Sequence, residues 1–158
     1  MKLRALLILF LSALVTSVFA AETAKIIRMT GAQSGIVYLP DQTEVPASVG
    51  LEVPVGALIE VGEGTKLFLK TFEGQITVAE AGSVFEIEAM EVTPENKEKT
   101  VIGLKNGDLV ANLDPTKRRT TDYGVRTPKG VAAARGTNYS VSVNGFTVLV
   151  TVSGGQVS

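Results

Sequence analysis

The carboxylates of this chain are the side chains that most invite a catalytic interpretation, because its 158 residues include no His and no Cys. Glu86 and Glu88 lie two residues apart, so in a strand both would point to the same face. A glycosidase needs two carboxylates about 5–10 Å apart in a cleft. Because Phe85 and Ile87 alternate with the two glutamates, we expect their shared face to be the solvent face. The sequence therefore predicts no enzymatic activity.

The other polar clusters predict no metal and no cofactor. Asp108, Asp114 and Asp122 are oxygen donors of the type that calcium prefers, but their spacing matches neither an EF-hand nor a nonapeptide repeat. Without Cys and His, the usual zinc and haem ligands are missing. The basic stretch at residues 117–119 could touch anionic glycans or lipid headgroups, although three charges in a loop are typical of a solvated surface. A net charge of -1 argues against a nucleic-acid binder.

Residues 1–20 have the pattern of an export signal. Two basic residues precede an uncharged, largely apolar segment that runs from Ala5 to Ala20. This segment is shorter than the ~20 residues that a helix needs to span a hydrocarbon core of ~30 Å. Val18 and Ala20 supply small side chains that signal peptidase accepts, so we predict a cleavable signal peptide, with a retained signal anchor as the alternative. Residues 21–158 would then lie in the periplasm or outside the cell, without a stable membrane span.

Short strand patterns bounded by turn residues recur from Lys25 onward, at intervals of about 8–12 residues. Gly74 is a predicted turn residue, because glycine readily takes the positive φ that such turns need. Asn106-Gly107 is the strongest short signal for a β-hairpin. No long window follows the 3.6-residue period of a helix. The sequence therefore predicts an all-β domain, an antiparallel β-sandwich or β-roll of about 10–12 short strands.

We expect residues 21–158 to form one domain without disulfide bonds. Two polar segments, residues 93–99 and 114–122, are predicted loops between strands. Residues 156–158, Gln-Val-Ser, are typical of the beginning of a strand. Either this last strand is very short or the sequence is a fragment of a longer protein.

An ordered series of turns runs from about residue 50 to residue 158. Its members are Gly56-Ala57-Leu58, Glu73-Gly74-Gln75-Ile76, Leu104-Lys105-Asn106-Gly107-Asp108-Leu109, Val125-Arg126-Thr127-Pro128 and Arg135-Gly136-Thr137-Asn138-Tyr139. This order resembles the FecR domain, a periplasmic module named for the iron-dicitrate sensor. Its most specific part is Thr-Pro followed by Arg-Gly-Thr and an aromatic residue. Glu73 and Gln75 stand where the family has Asp and Ser. The sigma regulator of that family also carries an anti-sigma segment and a membrane helix, which we do not find here, so we expect the domain alone.

The resemblance marks the residues of the last motifs as family positions and possible contacts: Thr127, Pro128, Arg135, Gly136, Thr137 and Tyr139. We expect Thr127-Pro128 to fix the entry of a strand. Two interpretations of Arg135 are open. Its guanidinium contacts a ligand or partner at the sheet edge, or it holds the last hairpins to an earlier loop. Gly136 would allow the backbone to approach closely, and Thr137 could hydrogen-bond its own turn.

The resemblance to FecR implies protein contact in the bacterial envelope, in some members as part of signal transduction. We predict a non-catalytic exported module that binds an envelope protein through a sheet edge or its loops, where a partner could add a strand. One alternative is a module for glycans or envelope polymers, which would present a surface row of aromatic residues drawn from Tyr38, Tyr123, Tyr139 and Phe146. Another is a structural domain of a larger secreted protein.

Overall fold

The computed structural model describes residues 22–153 as thirteen β-strands and one short 3-10 helix. The strands are β1 (Thr23–Gly31), β2 (Gly35–Tyr38), β3 (Glu44–Pro46), β4 (Glu52–Pro54), β5 (Leu58–Val61), β6 (Thr65–Lys70), β7 (Gln75–Ala79), β8 (Val84–Val92), β9 (Glu98–Leu113), β10 (Thr121–Thr127), β11 (Gly130–Ala134), β12 (Tyr139–Asn144) and β13 (Thr147–Val152). The 3-10 helix spans Pro115–Lys117. The predicted all-β class is confirmed, and none of the described residues forms a helix of the length and hydrophobicity that membrane crossing requires. The predicted signal peptide and the predicted strand start at residues 156–158 lie outside the described residues.

The strands form one curled sheet whose two halves make two layers. The first layer has the order β4-β1-β6-β7-β9-β12-β13, and the second has the order β3-β2-β5-β8-β9-β10-β11. Apolar residues of both layers meet in one core, which includes Ile26 and Leu67 from the first layer and Ile59 and Phe85 from the second. Buried and half-buried residues alternate along strands such as β6, because successive side chains point to opposite faces.

Strand β9 belongs to both layers because it bends sharply at Gly107. Residues 98–106 pair with β8 and β10, whereas residues 107–113 pair with β7 and β12. Gly107 has φ +92°, and a Cβ added there would lie 2.6 Å from the Cα of Ser83. The bend therefore requires glycine both for its backbone angle and for the space that Ser83 occupies.

The predicted hairpin at Asn106-Gly107 is wrong. An Asn-Gly pair favours positive φ, and β9 uses that angle for a bend inside one strand rather than for a chain reversal. The two halves of β9 have different partner strands, so each completes its hydrogen bonds without pairing with the other. Ser83 holds the bend, since its hydroxyl donates to the Asp108 carbonyl and accepts from the Asp108 N–H, each at 3.0 Å.

The bend also explains why β9 and β10 are parallel, the one parallel pair in the described part of the chain. Parallel neighbours normally need a crossover of a dozen or more residues. Here the second half of β9 provides that crossover. Gln75 pairs with Leu113 at the end of β9, while its Nε2 donates to the Glu98 carbonyl at the start of β9, at 3.1 Å. Because both ends of β9 lie at one pole, the short segment 114–120 is enough to bring Thr121 next to Glu98.

Candidate functional site

Thr127 and Pro128 lie in the turn that joins β10 to β11. The Thr127 hydroxyl donates to the Gly130 carbonyl at 3.0 Å and accepts from the Lys129 N–H at 3.2 Å. These two bonds close the turn locally. The expected strand entry is thus a hairpin turn, and it leads into β11, which pairs with β10 alone among the described strands.

Gly136 brings the connection between β11 and β12 against the 3-10 helix. It has φ +64°, and an added Cβ would lie 3.0 Å from the Cβ of Arg118 and 3.1 Å from the Cα of Pro115. Arg135 is exposed and has no hydrogen bond or ion pair with any residue in the range 22–153. The contact with the earlier loop is therefore made by the backbone at Gly136 and not by the Arg135 guanidinium. A contact between Arg135 and a partner stays a prediction, and the neighbouring Thr137 is buried.

Tyr139, the aromatic residue of the last family motif, belongs to the core. Its hydroxyl donates to the Ala132 carbonyl at 3.2 Å, which connects β12 of the first layer to β11 of the second. Its ring packs edge-on against Tyr123, with centroids 6.4 Å apart, and the Tyr123 hydroxyl hydrogen-bonds to Thr77. Burial raises the pKa of both tyrosines above the usual value, for Tyr123 despite the opposing effect of Thr77. Both hydroxyls are therefore neutral at physiological pH.

The aromatic residues do not form a surface row. Tyr123 and Tyr139 are buried in the core. Tyr38 lies in β2, where its hydroxyl is 3.4 Å from the Glu60 carboxylate, and Phe146 lies in the turn between β12 and β13. Tyr38 is half-buried and Phe146 is exposed, and they belong to different layers, so these four residues do not form the surface row that the glycan-binding alternative predicted.

Glu86 and Glu88 lie on the outer surface of the second layer, as their alternation with apolar residues indicated. The Lys105 Nζ is 3.3 Å from the Glu86 carboxylate, and the Arg126 Nε is 2.7 Å from the Glu88 carboxylate. Glu88 lies over Gly103, and a Cβ added to Gly103 would be 2.2 Å from the Glu88 Oε1. Each carboxylate thus has a cationic partner. Residues 22–153 contain no group of three or more His, Cys, Asp or Glu side chains that could hold a metal ion.

Gly56 and Gly74 lie in turns and have φ +85° and +82°. The Gly74 carbonyl accepts a hydrogen bond from the Asp114 N–H at 2.8 Å. In the same region, the Lys117 Nζ donates to the Glu73 carbonyl at 2.8 Å. The basic stretch therefore directs one of its charges at the β6–β7 turn, and its remaining charges, Arg118 and Arg119, are exposed.

A buried polar cluster lies where the two ends of β9 come together, and the sequence did not indicate it. Gln75 is fully buried, and its Oε1 accepts hydrogen bonds from the hydroxyls of Thr71 and Thr100, at 3.1 and 2.7 Å. The Glu98 Oε2 and the Thr121 Oγ1 are buried without a hydrogen-bond partner among the described residues. These residues come from separate parts of the chain, so no local pattern could have grouped them.

The strand edges on one side of the molecule are short and protected. Strands β3 and β4 have three residues each and share the sequence Glu-Val-Pro, which puts a carboxylate and a proline on each edge. Residues 47–51 cross from the second layer to the first and bind both. The Ala47 N–H donates to the Gly35 carbonyl at 3.0 Å, and the Gly50 N–H donates to the Ile26 carbonyl at 2.7 Å. We call β3, residues 47–51 and β4 the closed side.

The opposite side, formed by β11 and β13, lacks this protection, and we call it the open side. Strand β13 has six residues, Thr-Val-Leu-Val-Thr-Val, without charge or proline, and it pairs only with β12 among the described strands. Leu149 is 61% exposed, and Phe146 in the preceding turn is 92% exposed. An apolar groove of about 480 Å³ lies between the two edge strands, lined by Thr127, Lys129, Gly130, Val131, Ala132, Val148, Val150 and Val152. Exposed apolar surface of this kind marks interaction sites on soluble proteins.

The comparison with protein families supports the same assignment as the turn order. The family model described as FecR protein matches residues 42–158, which is well over half of the chain. The match begins before residue 50, where the sequence pattern first indicated it, and it includes β3 of the closed side. Neither a curated protein nor a solved structure matches the chain significantly.

Proposed function

Because this chain belongs to the FecR protein family, we propose that it is a non-catalytic, exported protein-interaction module in bacterial envelope signalling. Its partner binds at the open side, where an extended segment of the partner pairs with β13. Residues 21–158 perform this role in the periplasm after removal of residues 1–20.

The observation that carries the proposal is the unprotected edge of β13. In an antiparallel pair, successive residues direct their N–H and C=O groups alternately toward and away from the partner strand. About half of the six residues of β13 therefore direct these groups away from β12. A strand added at this edge would satisfy the free backbone groups and would cover part of the exposed apolar surface at Leu149.

Two further observations support a role in binding rather than in catalysis. The paired carboxylates Glu86 and Glu88 are held by Lys105 and Arg126 on the outer surface of the second layer. Tyr139 and its neighbour Tyr123 are buried core residues with raised pKa values, which makes them poor proton donors or acceptors at neutral pH. The last family motif thus contributes core residues that support the strands of the open side.

Capture from a native envelope extract tests the proposal. The full chain is compared with Val150→Lys on β13 and with Val49→Lys on the closed side. Both valines are exposed, so neither substitution buries a charge in the isolated protein. We expect the wild type and Val49→Lys to retain the same envelope protein, and Val150→Lys to retain at least tenfold less of it. The reason is that an added strand would enclose the unpaired lysine.

The test requires that all three proteins unfold cooperatively, which a urea titration shows. Equal retention of the same envelope protein by the two variants would contradict the assignment of the partner to β13. Retention of no envelope protein by the folded wild type would contradict the interaction role itself.

A further inference from the structure

One wall of the groove on the open side is formed by every second side chain of β13. Val148, Val150 and Val152 point between the layers. Their cross-strand partners in β12 are the buried residues Val143, Val141 and Tyr139. Val131 and Ala132 of β11 form the opposite wall. Residues two apart in a strand are separated by roughly 6.6–6.8 Å. A strand paired with β13 would therefore place every second side chain in this groove, and apolar side chains match its lining.

Lys129 is the one ionisable residue that lines the groove, and it has no ion pair with any residue from 22 to 153. Its Nζ lies 5.9 Å from the centroid of the Phe146 ring. Because Phe146 immediately precedes β13, the positive charge is located at the beginning of that strand. A charged residue opposite β13 would find no counter-ion, whereas a carboxylate next to Lys129 would find one.

The position of Lys129 also distinguishes the two directions of an added strand. Antiparallel pairing is slightly more stable for each residue than parallel pairing. A strand that runs antiparallel to β13 ends where β13 begins. Its last residue would therefore lie closest to Lys129, and a carboxylate there would complete the charge pair.

From this geometry, and resting on the proposed function, we infer the chemistry of the partner at the open side. The partner is an extended segment that runs antiparallel to β13 and has apolar side chains at alternate positions. It carries no charge along β13 and a carboxylate at its C-terminal end, beside Lys129. That carboxylate is either an Asp or Glu side chain or the C-terminus of the partner chain.

Titration of the full chain with fluorescent peptides tests this inference. Each peptide has a stretch in which Val alternates with Thr over six residues, to match β13. One peptide ends in Asp as its amide, and a second carries the Asp at its N-terminal end. A third has no Asp and a free C-terminal carboxylate, and a fourth is the amide of the third. We expect the peptide with Asp at its C-terminal end to bind about three- to fivefold more tightly than the peptide with Asp at its N-terminal end. If a free C-terminus can also pair with Lys129, the peptide with a free carboxylate should bind more tightly than its amide by the same factor. This range corresponds to a partly exposed ion pair.

Variants of Lys129 separate the ion pair from general binding. Lys129→Met should remove the preference for a C-terminal carboxylate, so that the two Asp peptides bind with equal affinity. Lys129→Arg should keep the preference. Equal binding of the two Asp peptides by the wild type, or a preference that persists in Lys129→Met, would overturn the inference.

Other occupants of the groove give distinct results that also overturn the inference. A dimer in sedimentation that Val150→Lys dissociates would show that a second copy of the chain fills the site. Peptide binding that appears only after removal of residues 154–158 would show that the chain covers its own edge. If no peptide shows the preference but envelope capture still depends on Val150, the chemistry assigned to the partner is wrong while the interaction site stands. If Val150→Lys does not affect capture, the proposed function itself fails.

Discussion

The closed side and the open side are the two ends of the same pair of layers, yet they differ in each feature that limits strand addition. The closed side has two edges of three residues, each with a glutamate and a proline, and a connection that crosses both layers. The open side has an edge of six residues without charge or proline, and a groove that enters between the layers.

This difference shows that the exposed edge at β13 is not a general property of the fold. The chain places Glu-Val-Pro at both edges of the closed side, although those edges are only three residues long. An uncharged six-residue edge with Leu149 exposed is a site for unwanted pairing unless another segment covers it. The contrast therefore favours a partner at β13.

The largest predicted effect comes from a substitution in β9, the strand that both layers share. We expect Gly107→Ala to lower the free energy of unfolding by about 3 kcal/mol, measured by urea titration. The substitution combines an unfavourable positive φ with overpacking against Ser83. Gly145→Ala is the matched control, because Gly145 has φ +57° but no atom within 4 Å of an added Cβ. It should cost about 1 kcal/mol, from the positive φ alone. Equal losses in the two variants would mean that contact with Ser83 does not determine the bend.

The next prediction compares the packing of the two sides directly. Val53 on the closed side is 0% exposed, whereas Val150 on the open side is 40% exposed. We expect Val53→Ala to lower the free energy of unfolding by about 2 kcal/mol, since it removes buried methyl groups and leaves a cavity. Val150→Ala should cost less than about 1 kcal/mol in the isolated protein, because part of its side chain is already in water. Similar losses from the two substitutions, in parallel urea titrations, would show that β13 is covered in solution.

The smallest predicted effect concerns the hydrogen bond beneath the groove. At pH 8, Tyr139→Phe should lower the free energy of unfolding by about 1 kcal/mol, because the Ala132 carbonyl loses its donor. Burial raises the pKa of Tyr139 above its usual value of about 10, so the folded protein keeps the hydroxyl neutral while the unfolded chain ionises it. The contribution of Tyr139 is therefore complete below pH 10 and decreases above it, by about 1.4 kcal/mol per pH unit.

The two stability curves should consequently meet within about one pH unit above pH 10. Urea titrations of wild type and variant between pH 8 and pH 11 measure this convergence. Tyr38→Phe removes a surface hydroxyl near Glu60 and should leave the free energy of unfolding at pH 8 unchanged. A constant difference between wild type and Tyr139→Phe across the pH range would contradict the buried, neutral hydroxyl.

The features that could be predicted from the sequence depend on residues close together in the chain. Gly74 and the Thr127–Gly130 turn have the backbone angles and local hydrogen bonds that their residue types favour. The outward orientation of Glu86 and Glu88 follows from alternation with Phe85 and Ile87. In each case a few neighbouring residues determine the conformation, so the local pattern is sufficient.

The features that could not be predicted depend on which strands become neighbours. The backbone angles that Asn106-Gly107 favours are compatible with both a hairpin turn and a bend within one strand. A bend forms here because the two halves of β9 pair with different strands. The exposure of β13 follows from its place at the end of a layer, which its own residues do not specify. The contact between the β11–β12 connection and the earlier loop could not be assigned from the sequence for a similar reason. Gly136 already makes the contact with Pro115 and Arg118 through its backbone.

The bend in β9 has a consequence for how the protein reaches its native state. Since one strand supplies hydrogen bonds to both layers, neither layer is complete until residues 98–113 are in place. The two groups of strands within β1 to β8 are joined into one sheet only by this later segment, and such long-range pairing slows folding. During that interval the apolar strands are open to proteases and to aggregation. A folding helper that protects the chain until β9 docks would thus raise the yield of the native protein more than one that acts on the C-terminal hairpin.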